Sequence, residues 1–369
     1  MRAVIVKERG IAAVVEIKEQ SMRSDYIKIR SVAVAVNPTD FQHTATAGLV
    51  GGILGCDVSG IVAEVGKECK TDVKEGDAVY GVCHSANQNN PEDGAFAEFA
   101  MIKDGHIAKI PKGLSFEGAA TLGVGVTTIG QTLYMTMKLP LPSGPSNVST
   151  TILIYGGSSA TGTLAIQYAK LSGLTVITTA SPKNFDLVKS RGADAVFDYH
   201  DPDCAKKIRA YTNNELKYVL DTISTPESNK ICAESFPVES KEKLNFVALL
   251  PAETWPREDI EAQIILSYTT LGEAFTKWGR DFPAIKEHFE FGRMFWELSA
   301  KLLEQGKIIP HPVALRSGGL QGIPAGIAEI SIGAVSGEKL VYRVDDKTEV
   351  AADELPSNES VLKSSLKEW

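Results

Sequence analysis

Over the first hundred residues the apolar positions fall in short runs, RAVIVKE, YIKIRSVAVAV, GIVAEVG and GDAVYGV, separated by NPTD, KEGD and PEDGA. Runs of Val, Ile and Tyr bounded by Gly, Pro, Asn and Asp predict strands. β-branched and aromatic side chains suit a pleated surface, and the bounding residues supply turn conformations. From Met1 to about Ala108 the chain is therefore expected to be β-rich and barrel-like. KGLSFEGAATLGVGVTTIGQTLYMTMKL then shifts to helical spacing, apolar along one face, and predicts one or two helices.

PLPSGPSNVST, Pro140 to Thr150, is too rich in Pro, Ser and Gly for an element and reads as an exposed linker. Beyond it the apolar runs TILIY, TVITTA, AVFDY, KYVLDTI and NFVALL alternate with helix-like TLAIQYAKLSG, NFDLVKSRGA and CAKKIRAYTNN. That alternation predicts parallel strands joined by crossover helices, a doubly wound sheet. FGRMFWELSAKLLEQGK, within Trp278 to Gly306, predicts a further helix, and the chain from Pro312 to Val344 returns to β structure with one helix. The polar tail after Asp345 is expected to be mobile.

A chain of 369 residues is too long for one ordinary core, so two domains are expected, α/β in class. The composition, 43% hydrophobic and 23% charged, is that of a soluble globular protein. The net charge of −8, with no basic run, argues against a grip on nucleic acid or on an anionic membrane. No apolar run nears the roughly 18 residues of a membrane span. The opening MRAVIVKERG is unlike a secretory signal, and five scattered cysteines without a CxxC pair suit reduced thiols in the cytoplasm.

The chemistry starts at ILIYGGSSATGT, Ile152 to Thr163. Strand, tight turn and helix are the context of a dinucleotide fingerprint, with Gly156 for the turn and Gly162 for close helix packing. Ser159 stands where a middle glycine would open the way to the helix N-terminus. The hydroxyls of Ser158, Ser159 and Thr161, flanking Ala160, are able to donate to phosphate oxygens instead. Taken alone, the loop also fits a turn with no ligand. After the second strand the chain reads TTASPKNFD, so Ser181, Pro182, Lys183 and Asn184 precede the first acid, Asp186. A site for an NAD ribose would place Asp or Glu there; a neutral or basic pocket favours NADPH. Tyr199 is placed to cover the same end of the cofactor, although SPKN also suits a helix cap and Tyr199 a core.

NPTD (37–40), LGCDVSGIVAEVG (54–66), KEGDAVYG (74–81), GAFAEF (94–99), the loop at 156–162 and SGEKLVYRV (336–344) resemble the medium-chain dehydrogenase/reductase superfamily, in its quinone-oxidoreductase branch. The resemblance implies a GroES-like catalytic domain (1–125 and 300–369, tail 346–369) and an inserted Rossmann domain (126–299, linker 139–150), with a cofactor cleft between them. AVNPTD, YGGSSAT, SPKNFDLVKSRGA and FDY narrow it to the stand-alone enoyl reductases that work in trans with fungal polyketide synthases. That match implies NADPH-dependent reduction of an enoyl thioester on an acyl carrier domain, by a monomer.

The zinc-dependent relatives carry Gly-His-Glu where this chain has Gly55-Cys56-Asp57, and the cysteine-rich lobe is missing. Cys56, Cys83 and His84 lack the spacing of a full ligand set, so no metal is expected and Cys56 reads as a buried thiol. Conjugate reduction needs only a hydride and a hydrogen-bond donor for the developing oxyanion. In the enoyl reductase subfamily a lysine stands at the place of Gln42; the Gln42 amide donates a hydrogen bond but no proton, leaving solvent or His43 to protonate, with the role of a plain surface histidine equally open for His43.

The resemblance further assigns Thr39, Asp40, Gln42, Leu249, Val335 and Ser336 to the cofactor, with a turn-stabilising role open for Asp40. Thr128 is assigned to the nicotinamide or substrate, and Gln131, Leu271, Gly272 and Phe275 to the substrate. Trp278, Phe289, Phe291, Phe295 and Trp296 either wall an apolar acyl pocket or fill a core. Two other functions stay open on these residues: a zinc-independent quinone or enone reductase, and a catalytically idle NADPH-binding protein.

Overall fold

The computed structural model describes residues 1–142, 150–240, 243–251, 255, 257 and 259–348. The core of the expected linker and almost all of the expected mobile tail lie outside the described residues. The chain divides into two compact units: Met1–Thr127, Tyr268–Gln305 and Pro310–Trp369 in one, Thr128–Ser267 and Gly306–Ile309 in the other. The first division falls close to the 125/126 boundary read from sequence. The segment 268–305 groups with the first unit rather than with the Rossmann-like one. Its contacts explain this: Trp296 Nε1 donates to Thr127 Oγ1 at 3.1 Å, and the Glu273 carboxylate accepts from the Tyr26 hydroxyl at 2.7 Å and from Lys103 at 2.8 Å.

The first unit is built on a seven-stranded sheet. Its order runs Val313–Arg316, Lys339–Arg343, Tyr26–Ala35, Asp57–Val65, Ala78–Val82 and Ile107–Lys109, with Phe99–Lys103 also pairing to Tyr26–Ala35. All of these pairings are antiparallel except Val313–Arg316 with Lys339–Arg343. Alternate positions of these strands supply the core, including Ile27, Ile29, Val58, Val79 and Ile102. This is the β-rich, GroES-like architecture expected. A separate hairpin, Phe275–Lys277 with Arg280–Phe282, turns through Trp278 and Gly279, both at positive φ (51° and 69°). Two positive φ values in a two-residue loop match the right-handed twist of the strands.

The second unit is a six-stranded, wholly parallel sheet. From one edge it runs Ala195–Asp198, Thr175–Ala180, Thr151–Tyr155, Tyr218–Asp221, Asn245–Ala248, Glu261–Ile264. Numbered along the chain, that order is 3-2-1-4-5-6, the doubly wound arrangement of dinucleotide-binding folds. Strands buried on both faces read as continuous apolar runs: Ile152, Leu153 and Ile154 all have no exposure. The helical stretch at the start of this unit continues past Ile129 as a π-helical segment, Gly130–Thr136. Among the described residues no helix is long and apolar enough to cross a membrane.

Candidate functional site

The glycine-poor loop follows strand Thr151–Tyr155 and opens helix Ala160–Leu171. Gly156 turns at φ +75°. A Cβ on Gly162 would lie 2.3 Å from the Gly156 carbonyl oxygen, so the helix start and the turn pack backbone to backbone. Both glycines therefore have the roles the fingerprint assigns them. Ser159 is engaged within the turn itself. It is the helix N-cap, its hydroxyl accepting from Gly162 N–H at 2.9 Å and lying 2.9 Å from Thr222 Oγ1. The Thr222 hydroxyl donates to the Tyr155 carbonyl at 2.8 Å, which leaves the Ser159 proton committed to Thr222. Ser158 and Thr161 remain as hydroxyl donors, both partly exposed.

The second strand, Thr175–Ala180, ends in a short 3₁₀ turn, Pro182–Asn184, for which Ser181 is the N-cap. Pro182 and Lys183 are exposed, while Asn184 is buried and its amide donates to Ser158 Oγ at 3.2 Å. Asn184 thus orients Ser158 rather than facing outward beside Lys183. Tyr199 is exposed, with the His200 imidazole 4.1 Å from its ring. His200, which the sequence pattern did not single out, is paired with Asp198 at 2.8 Å. Leu249 follows strand Asn245–Ala248, its N–H bonded to Ser224 Oγ at 3.0 Å. The described loop fits a dinucleotide: close backbone, a helix N-terminus, two available hydroxyls, and no carboxylate before Asp186. Elsewhere in this unit Thr128 is buried, and the Gln131 amide donates to the Leu266 carbonyl at 3.3 Å.

In the first unit Asn37-Pro-Thr-Asp40 forms a capping box, with Asn37 N–H donating to Asp40 Oδ2 at 2.8 Å. Asp40 has no exposure, and burial pushes its carboxyl up to about 7. The turn-stabilising role is the one the structure gives it. Thr39 and Gln42 on the same short helix are partly exposed. Asp57 lies below them, with no exposure, accepting from Asn37 Nδ2 at 2.9 Å, Val124 N–H at 2.6 Å and Lys339 Nζ at 2.5 Å. The Asp of Gly-Cys-Asp therefore ties the loop, a helix start and a strand together.

Beside this tie is a cluster of buried polar groups in which the sequence pattern points to His43 and Cys56 but not to Lys277 or Tyr268. Phe275 and Lys277 alternate on one strand, so both point to the buried face. Lys277, 3% exposed, donates to His43 Nε2 at 2.6 Å and lies 4.5 Å from the centre of the Tyr268 ring. The Tyr268 hydroxyl lies 3.3 Å from His43 Nε2 and 3.6 Å from Cys56 Sγ, and its oxygen accepts from the Thr39 hydroxyl. His84 stacks on Tyr268 at 4.0 Å. Burial first, then the Lys277 charge, holds His43 and His84 well below the usual imidazole range, so both rings are neutral. Burial pushes Lys277 down to about 8.

Asp40, His43 and Cys56 bring potential ligand atoms within 4.8 Å of one another. A cation there would meet the Lys277 ammonium, which holds the His43 Nε2 lone pair and repels a second positive charge, and it would have to displace the proton of a Cys56 thiol that burial pushes up. His43 Nδ1 and Asp40 Oδ1 are without hydrogen-bond partners among the described residues. Cys83 and His84 face other partners, the Met101 carbonyl and the Tyr268 ring.

The residues assigned to substrate in this unit separate. Leu271 and Gly272, with Phe289, line a cavity of about 550 Å³ whose other walls are charged, Asp25, Lys70, Lys103, Asp104 and Arg293 among them. It is not a long apolar pocket. Phe275 packs instead against Phe282 at 4.9 Å and His84 at 5.3 Å. Of the aromatic run, Phe295 and Trp296 are core and Trp278 is half exposed. Val335 is partly buried against the main core and Ser336 is exposed.

Residues 23–112 match the alcohol dehydrogenase GroES-like domain, and residues 160–248 match a family described as zinc-binding dehydrogenase. The chain is 45% identical over 345 residues to the trans-enoyl reductase ACTTS2 of Alternaria alternata, covering 93% of this chain and 99% of that protein. It is 38% identical to the enoyl reductase component lovC of the lovastatin nonaketide synthase of Aspergillus terreus, covering 87% and 90%. Among solved structures, an alcohol dehydrogenase superfamily protein from Novosphingobium aromaticivorans superposes with a TM-score of 0.76 at 21% identity, covering 94% and 100%.

Proposed function

The chain belongs to the fungal trans-enoyl reductases of the medium-chain dehydrogenase/reductase superfamily, enzymes acting on carbon–carbon double bonds, and on that premise we propose that it uses NADPH to reduce the α,β-double bond of a polyketide thioester held on the acyl carrier domain of a synthase acting in trans. The observation that carries the reading is the donor set of the Rossmann-like unit. Ser158 and Thr161 offer hydroxyls at a helix start, and Ser181 and Lys183 follow the second strand with no carboxylate before Asp186. A carboxylate at that strand end would select a ribose hydroxyl; an ammonium and hydroxyls suit a 2′-phosphate.

NADPH, when bound, supplies the hydride for the β-carbon. Ser158, Ala160 and Thr161 would hold the pyrophosphate, and Ser181, Lys183 and Tyr199 would hold the adenosine end. In the GroES-like unit the Gln42 amide, which no described residue engages, donates to the thioester oxygen as negative charge develops there. Thr39, equally accessible, presents a hydroxyl. The monomeric state and the cytoplasmic setting belong to the same proposal.

Steady-state NADPH oxidation tests it. Turnover of a crotonyl thioester on pantetheine without turnover of free quinones is expected. Turnover of quinones alone, or cofactor binding with turnover of neither, overturns it.

A further inference from the structure

Lys277 is a buried ammonium that no carboxylate pairs with among the described residues. Leaving a lysine so placed costs free energy unless the charge is used or relinquished. Its one strong partner is a neutral imidazole, and that imidazole lies next to a tyrosine hydroxyl bonded to the accessible Thr39. The segment carrying these groups is held in place from behind, because Glu273 is anchored by Tyr26 and Lys103, and the Arg23 guanidinium covers the Tyr26 ring at 3.4 Å. A chain of exchangeable protons therefore runs from a buried cation to a hydroxyl on the loop that carries Gln42. A lysine at position 42 is what this sequence lacks.

Resting on the enoyl reduction above, we propose that Lys277 is the proton reservoir of the reaction, delivering through His43 and Tyr268 to Thr39 the proton that ends on the substrate's α-carbon. The hydride that NADPH would supply leaves its C–H bond with the electron pair, oxidising the cofactor to NADP+; it forms the β-carbon C–H bond and moves the double-bond electrons onto the thioester oxygen. The α-carbon C–H bond then forms as the Thr39 O–H bond, turned from Tyr268 to the substrate, breaks and the electrons on oxygen re-form the thioester carbonyl. Thr39 is reprotonated by the Tyr268 hydroxyl, and Tyr268 by Nε2–H of a His43 that has taken its proton from Lys277. Lys277 ends neutral and regains a proton from solvent before the next turnover.

The groups facing Lys277 are His43 after the NPTD helix, His84 after strand Ala78–Val82, Cys56 before strand Asp57–Val65, and Tyr268. Burial outweighs the Cys56 contribution, so the reservoir is full below about pH 8 and empties above it.

The test is the pH profile of kcat for the crotonyl pantetheine thioester, with wild type, Lys277→Met and Lys277→Arg. Wild-type kcat should fall as pH rises through about 8. Lys277→Met should lower kcat at pH 7 about tenfold, within the range for one general acid, and remove that limb while the KM for NADPH stays unchanged. Lys277→Arg, which does not deprotonate, should also lack the limb. A wild-type profile flat through pH 8, or a limb that persists in either variant, overturns the inference alone. A wild type that never turns the thioester over overturns the enoyl reading, and the inference with it.

Discussion

Ser159 Oγ accepts the Gly162 backbone N–H at 2.9 Å, so the residue standing in for the fingerprint's middle glycine caps the helix. Removing an N-cap side chain costs about 1 kcal/mol, whereas glycine at the same place costs only a few tenths. Ser159→Ala should lower the thermal midpoint and Ser159→Gly should barely move it. Ser158→Ala with Thr161→Ala should leave stability near wild type and weaken NADPH about tenfold or more, read by fluorescence titration.

Gly162→Ala should be far worse than a surface glycine change. Its Cβ would lie 2.3 Å from the Gly156 carbonyl oxygen and 2.8 Å from Gly157 Cα, both backbone atoms that cannot step aside. Overpacking of this kind costs about 1–3 kcal/mol. Denaturant unfolding should show that loss, with NADPH binding weakened in parallel because the turn has to open.

Asp57 and Lys339 form an ion pair with side-chain exposures of 0% and 4%. Removing either partner strands a buried charge, at about 3–5 kcal/mol. Asp57→Ala and Lys339→Met should each unfold at much lower denaturant. Replacing both together should recover part of the loss, and a simple sum of the two single effects would show that the pair is not coupled.

On the proposed NADPH reading, the exposed Lys183 would discriminate NADPH from NADH through the 2′-phosphate. Lys183→Ala should reduce the ratio of kcat/KM for the two cofactors about tenfold, equivalent to ~1.4 kcal/mol of a charge-assisted hydrogen bond. The change should appear in the NADPH value alone and shrink at high salt.

Stability should also carry the signature of Lys277. Its folded-state pKa of about 8 lies below the ordinary 10.5, so the unfolded chain binds the extra proton between those values. Stability from this group therefore rises as pH climbs from about 8 towards 10.5, and is at its lowest once pH has fallen below 8. Lys277→Met should raise the unfolding free energy relative to wild type most at pH 7, by on the order of 3 kcal/mol, and raise the thermal midpoint with it. That advantage should fade towards pH 10.5. A difference independent of pH would contradict the depressed pKa.

Much of the candidate site is legible in the sequence because it is local. Gly156, Ser158, Thr161 and the acid-free SPKN turn lie within one strand-turn-helix-strand unit, where spacing alone decides which backbone and side-chain groups meet. The cap at Ser159 is local as well: a serine just before a helix bonds the N–H groups of the first turn, and its bond to Gly162 realises that preference. Leu271 and Phe275, four residues apart, looked like one pocket wall, but the intervening turn at Gly272 (φ +72°) sends them to different neighbours.

The sequence by itself determined the two-unit α/β architecture, the parallel sheet and the helix start that suits a pyrophosphate, because periodicity and turn chemistry act over a few residues. Only the tertiary structure decided what surrounds the NPTD loop. His43 and Lys277 stand 234 positions apart, and nothing in either neighbourhood announces the other. They meet because strand alternation turns Lys277 to the same buried face as Phe275, and because Glu273 is pinned to Tyr26 and Lys103. Burial then shifts their protonation, a property of the packed interior that no linear pattern encodes.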